Sequence, residues 1–140
     1  MRTITVPLKL IDLQDDGFHL LVEIVVFGKK LLAVVDTGAS RSVFDIAFIK
    51  QHIDIRETLE SQATTLFSTT STLQATLPEV KMGRLRIKDY YAVALELEGV
   101  NQTYESLGHP RIAAILGSDI FLKYHAIINF KKLRLYLYDD

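Results

Sequence analysis

An apolar run, Leu31-Leu32-Ala33-Val34-Val35, ends abruptly in Asp36-Thr37-Gly38-Ala39. A lone carboxylate at the end of a buried segment is costly to desolvate, so it must face solvent, a partner or a substrate. Gly38 permits a tight turn whose backbone passes close to whatever Asp36 faces. Thr37 adds a hydroxyl that can tie the turn to a neighbour. Two carboxylates about 3 Å apart cannot both ionise, so they share a proton. One then activates water while the other protonates the group under attack, which is the base and acid that metal-free amide hydrolysis needs. One Asp36 is half of that chemistry. The competing reading is a strand-ending aspartate that merely starts a turn.

Other chemistries find little footing. The four histidines, His19, His52, His109 and His125, show no metal-binding spacing. No nucleophile-elbow motif surrounds Ser40 or Ser118. The seven glycines form neither a phosphate loop nor a dinucleotide fingerprint, and there is no cysteine. No metal and no cofactor are expected. Arg84, Arg86 and Lys88 make a basic stripe on one strand face. With 16 basic and 17 acidic residues and a net charge of −1, that stripe reads as a solvated edge rather than a nucleic-acid surface. The longest apolar stretch, Leu20 to Phe27, is broken by Glu23 and falls far short of the roughly 20 residues that span a bilayer. No membrane partner is expected, and in the absence of an apolar leader the chain reads as cytoplasmic.

The elements that must hold Asp36 are mostly strands. The chain has 140 residues, 49% apolar and 24% charged, and reads as one domain over residues 1–140 with one core. Ile4, Val6, Leu8 and Leu10 alternate with polar residues, as do Leu85 and Ile87, and Leu133, Leu135 and Leu137. Phe18 to Phe27 and Tyr90 to Leu97 also read as strands, giving about eight or nine in all. One or two short helices are predicted. Ser42-Val43-Phe44-Asp45 resembles a capping box ahead of Ile46, Ile49 and Ile53, and Ser118 or Asp119 caps a second helix through Tyr124. The Thr- and Ser-rich stretch Ser61 to Thr76 suits an exposed hairpin. A faint repeat runs through the chain: Leu31 to Gly38 and Ile112 to Gly117 are both apolar strands that end in a glycine turn and lead to a helix. Folding two such halves together brings the glycine turns close.

The combination Val35-Asp36-Thr37-Gly38-Ala39-Ser40, followed about 75 residues later by Ala114-Ile115-Leu116-Gly117, resembles the retropepsin-like aspartic proteases. The resemblance covers roughly Ile4 to Tyr138, and the tail from Asp119 to Leu137 is most similar to the bacterial members. It implies a mainly β fold, a closed acid-protease barrel lobe. It implies that Asp36 is the catalytic aspartate, with Thr37, Gly38 and Ala39 in the active-site loop and Ile115, Leu116 and Gly117 beneath it. It places a flap over the cleft at Leu66, Phe67, Ser68, Thr69 and Thr70, which lack the glycines of retroviral flaps. The stretch Glu96 to Pro110 looks like an added loop.

By that resemblance the protein is an aspartic endopeptidase acting on a peptide or protein substrate. Because the chain carries one Asp-Thr-Gly, the second carboxylate comes most simply from a twofold homodimer with both copies of Asp36 beside the axis. Asp119 is a rival within the same chain, although a helix cap is the preferred role for it. The alternative function is a non-catalytic peptide-binding or dimerisation module on the same fold.

Overall fold

The computed structural model describes residues 2–53, 59–64 and 69–140. Its strands are β1 (Arg2–Asp12), β2 (Phe18–Val26), β3 (Lys29–Val35), β4 (Val43–Asp45), β5 (Leu59–Thr64), β6 (Thr69–Met82), β7 (Leu85–Leu95), β8 (Ala114–Leu116), β9 (Ile127–Asn129) and β10 (Arg134–Asp139). Three short helices, α1 (Ile46–Lys50), α2 (Glu98–Ser106) and α3 (Ser118–Lys123), interrupt them. No described helix is long and apolar enough to cross a membrane.

Six strands close on themselves. β2 and β3 form a hairpin through the two-residue turn Phe27–Gly28, whose φ values of 52° and 73° match the right-handed twist of the flanking strands. β3 runs parallel to β8, β8 antiparallel to β4, and β4 parallel to β7. β7 pairs along β6, and β6 returns to β2 through Val25↔Lys81 and Val26↔Val80. The result is the mainly β, closed barrel that the residues and their resemblance predicted. β5 continues from β6 as an antiparallel hairpin, from Leu59↔Gln74 to Thr64↔Thr69. β1, β10 and β9 form an adjoining sheet.

Barrel closure puts one face of each strand inside. Ile24, Phe44, Leu77, Met82, Leu85 and Leu116 are fully buried there, and Leu135 and Leu137 of β10 extend the same core. The simple alternation expected of β1 fails at Leu10, which is 42% exposed while Ile11 is buried. The strand pairs with β10 through Pro7 and with β2 from Leu8 onward, so it leaves one sheet for the other and its inward face changes. The two strands expected at Leu85 and Tyr90 are one continuous β7, with Asp89 at φ 51°.

Helices depart further from expectation. Among the described residues there are three α-helices, not one or two. The segment Glu96 to Pro110, which reads as an added loop, carries α2. Gly99, Thr103 and Asn101 are poor helix formers, which hides the stripe of Leu97, Val100 and Tyr104. That stripe packs with Ile11, Leu13, Leu21, Val34 and Ile112 in a second core outside the barrel. The capping box is also displaced: Ser42 is not a cap, and Asp45 is the residue whose carboxylate accepts from the Ala47 N–H at the start of α1.

One side chain fixes α2 in place. Asn101 is 1% exposed; its amide nitrogen donates to the Ile112 carbonyl at 3.0 Å, and its oxygen accepts from the Ile112 N–H at 2.7 Å. Asn101→Ala strands both backbone groups in a buried setting. It is expected to lower stability by about 3 kcal/mol in chemical denaturation, while Thr103→Ala on the exposed face changes little.

Candidate active site

Asp36 leaves β3 at the surface, where the barrel strand ends. Its backbone N–H donates to the Leu116 carbonyl at 2.9 Å, extending the β3–β8 pairing one residue into the turn. Its carboxylate is exposed, and Oδ1 accepts from the Gly38 N–H at 3.0 Å. The Ala39 N–H donates back to the Asp36 carbonyl at 3.1 Å and closes the turn. Thr37 is exposed beside it, with no hydrogen-bond partner among the described residues. The loop thus holds its carboxylate outward on a backbone tied at Asp36, Gly38 and Ala39.

The second glycine turn lies directly against the first. The Ser118 N–H donates to the Ala39 carbonyl at 2.8 Å. A side chain on Gly117 would put its Cβ 2.4 Å from the Ala39 carbonyl oxygen, so only glycine fits. The backbone at Gly117 is extended, at φ −119° and ψ −170°. The requirement is therefore one of space, not of conformation. Ile115 is half-buried and Leu116 fully buried beneath the loop. The two halves of the faint repeat meet here.

Three polar side chains that the sequence did not single out for this place complete the support. Ser42 is completely buried. Its N–H and hydroxyl both donate to Asp119 Oδ1, at 2.9 and 2.7 Å. The same hydroxyl oxygen accepts from the Gly117 N–H at 2.8 Å. The Tyr90 hydroxyl donates to Asp119 Oδ2 at 2.7 Å. Burial, and then the hydrogen bond to Asp119, raise the Tyr90 phenol well above its usual range. Asp119 was expected to cap α3. The helix instead starts from Gly117 with no side-chain cap, and Asp119, in the first turn, reaches across to the loop. The signal available was positional and limited to two of them: Ser42 and Asp119 each follow a glycine turn, while Tyr90 lies within β7. The pairing itself joins residues 77 apart, which spacing does not announce.

A cavity of about 180 Å³ lies beside the carboxylate, bounded by Asp36 and Thr37 on one side and Phe18, His19, Ile128 and Phe130 on the other. Phe18 and Phe130 are 60% and 66% exposed. His19 Nδ1 lies 2.6 Å from the hydroxyl of Tyr104, the buried tyrosine of α2. Burial and, secondarily, the charge of Asp36 push the Tyr104 phenol up to about 12. Phe18, His19, Ile128 and Phe130 were not read as site residues, because the fold decides that β2 and β9 meet the loop here. Of the flap positions, Leu66, Phe67 and Ser68 lie outside the described residues. Thr69 and Thr70 begin β6, opposite Thr64 and Ala63 of β5.

A family model described as aspartyl protease matches residues 22–120, which include Asp36, Ser42, Tyr90, Gly117 and Asp119. Among solved structures, the fold is similar to a retropepsin-like aspartic protease from Rickettsia conorii, with a TM-score of 0.59 at 21% identity, over 97% of this chain and 90% of that one. It is also similar to the retroviral protease-like domain of Ddi1 from Leishmania major, with a TM-score of 0.50 at 15% identity, over 81% of this chain and 82% of that one. No curated protein sequence matches the chain.

The Gly117–Ala39 contact has a direct consequence. Gly117→Ala forces the two turns apart. It is expected to cost about 2 kcal/mol, as overpacking does, and to shift the backbone resonances of Asp36 to Ser42 in NMR spectra more than those of β10.

Proposed function

The chain belongs to the aspartyl protease family and has a retropepsin-like fold, and from that premise we propose that it is an aspartic endopeptidase whose active site is completed by a second copy of itself. The observation that carries this reading is the state of Asp36. It is a surface carboxylate on a loop braced from beneath, and among the described residues its side chain takes one hydrogen bond, from the Gly38 N–H. Asp119, the rival for the second carboxylate, has both oxygens engaged by Ser42 and Tyr90 and is unavailable for a dyad. The partner of Asp36 is then Asp36 of another copy.

The chemistry follows from two such groups sharing one proton. The ionised carboxylate takes a proton from water, and the oxygen of that water bonds to the scissile carbonyl carbon. The protonated carboxyl gives its proton to the carbonyl oxygen, so a neutral tetrahedral diol forms. The proton now on the first carboxylate passes to the amide nitrogen, the C–N bond breaks, and one hydroxyl of the diol returns its proton as the new carboxyl group forms. The dyad titrates as a unit. An extended peptide is the natural substrate form, since the cleft is framed by strand ends and can add backbone hydrogen bonds to them.

The surface next to Asp36 supports self-association. β9 ends the order β1-β10-β9, and an unpaired strand edge is a template for another chain. Ile127 of β9 and Phe130 just after it are 52% and 66% exposed, and Ile128 and Phe130 share the cavity wall with Asp36 and Thr37. A copy docked along β9 therefore arrives beside the carboxylate that it must complete.

Two outcomes test the reading. The purified protein is expected to cleave an unfolded protein at mildly acidic to neutral pH, with inhibition by pepstatin. Asp36→Asn is expected to cut the rate by at least about a thousandfold, the scale of lost general acid–base catalysis. Binding of the peptide without cleavage by either form would favour the non-catalytic module instead. Separately, Ile127→Lys combined with Phe130→Lys is expected to move sedimentation from dimer to monomer and to remove cleavage with it. A monomer that still cleaves would contradict the shared site.

A further inference from the structure

Asp119 belongs to none of the reacting groups, yet more hydrogen bonds converge on it than on Asp36. Taking Asp36 as the catalytic aspartate, as proposed above, we infer that Asp119 is the positioning residue of the active-site loop, an acceptor that fixes where the loop ends and so where Asp36 sits. The loop has two backbone ties to the turn beneath it, Asp36 N–H to Leu116 O and Ser118 N–H to Ala39 O. Both lie in its first half. The far end is held at Ser42 by Asp119 Oδ1, which takes the Ser42 N–H and hydroxyl together. The Ser42 hydroxyl passes the restraint back to the Gly117 N–H, at the point where the two turns touch.

The other oxygen links this brace to the wall of the barrel. Tyr90 lies on β7 opposite Leu77 of β6, the strand that also forms the hairpin with β5. One carboxylate therefore joins the loop, α3 and the sheet that carries the hairpin. Its charge is met by donors, not by an ion pair, since no basic side chain lies within salt-bridge distance of it among the described residues. Charge-assisted hydrogen bonds of this kind are shorter and stronger than neutral ones, as the distances of 2.7 to 2.9 Å reflect. The flanking cation, Arg41, is engaged elsewhere, donating to the Tyr91 carbonyl at 2.6 Å.

Substitution separates positioning from mere packing. Asp119→Asn keeps the oxygen that Ser42 uses, and the Tyr90 hydroxyl can turn to accept from the new amide. Asp119→Ala leaves the buried Ser42 N–H and hydroxyl without an acceptor. In the alanine variant kcat is expected to fall about a hundredfold with KM little changed, the scale of a reacting group misplaced by about 1 Å. The asparagine variant is expected to return close to wild type. Amide hydrogen exchange supplies a readout that needs no activity. Exchange at Ser42 and Gly117 should accelerate in Asp119→Ala, recover in Asp119→Asn, and leave the β1–β10 amides unchanged. Should Asp119→Ala fail to fold, Ser42→Ala and Tyr90→Phe take its place, and the same local acceleration is expected at Gly117 for the first and at Ser42 for the second.

Unaltered exchange at these amides, acceleration spread evenly through the barrel, or an asparagine variant as impaired as the alanine one would each overturn the inference. A wild-type protein that shows the local exchange pattern but cleaves nothing would leave the tie standing and remove the endopeptidase reading instead.

Discussion

The closeness of two backbone turns is the constraint from which the rest of this molecule follows. The Ala39 carbonyl lies so near the α-carbon of Gly117 that no side chain fits between them. Two chain segments about 75 residues apart in sequence can meet this tightly only if the strands feeding them run side by side, and β3 and β8 do so as a parallel pair. Parallel neighbours need a long crossover, and the chain between them supplies it by building β4, β6 and β7 of the barrel. Fixing the turns thus fixes the topology. It also fixes Asp36, whose N–H is the last rung of that parallel ladder.

Two carboxylates near this contact meet opposite environments. Asp119 is half-buried and takes three hydrogen bonds. Asp36 receives one and keeps its exposure. Both oxygens of Asp119 are engaged within the chain, while the carboxylate of Asp36 is turned to the surface. The number of N–H and O–H groups aimed at each thus separates the carboxylate tied into the scaffold from the one left at the surface.

Closure of the barrel satisfies its own strand edges. Among the described residues, the β5–β6 hairpin, the short sheet that ends at β9 and helix α2 lie outside the ring. The second carries exposed apolar side chains at Ile127 and Phe130, and Leu122 of the preceding helix α3 is 77% exposed. Helix α2, on the second core, brings the Tyr104 hydroxyl to His19 at the rim of the Asp36 cavity. The segment that extends the chain beyond a minimal barrel therefore borders the site as well as the core.

The sequence by itself determined the class and the loop. Alternation in β1, β7 and β10 reports strands because period-two burial is a local property, and Asp36-Thr37-Gly38 stands out because a carboxylate at the end of an apolar run is expensive unless it has work to do. Ile115-Leu116-Gly117 was legible as the second apolar run ending in a glycine turn and, by the resemblance, as the segment beneath the loop. Helix α2 was not, since Gly99 and Thr103 argue against a helix that burial of Tyr104 and the Asn101 clamp sustain. Nor was the role of Ser42, Tyr90 and Asp119, whose local context fits caps and strand residues equally well. Only the tertiary structure decided that Ser42 and Asp119 meet, that Gly117 has no room for a methyl group, and that β9 returns beside Asp36. Each is a distance between segments far apart in the chain, and such distances are set by packing, which no local pattern records.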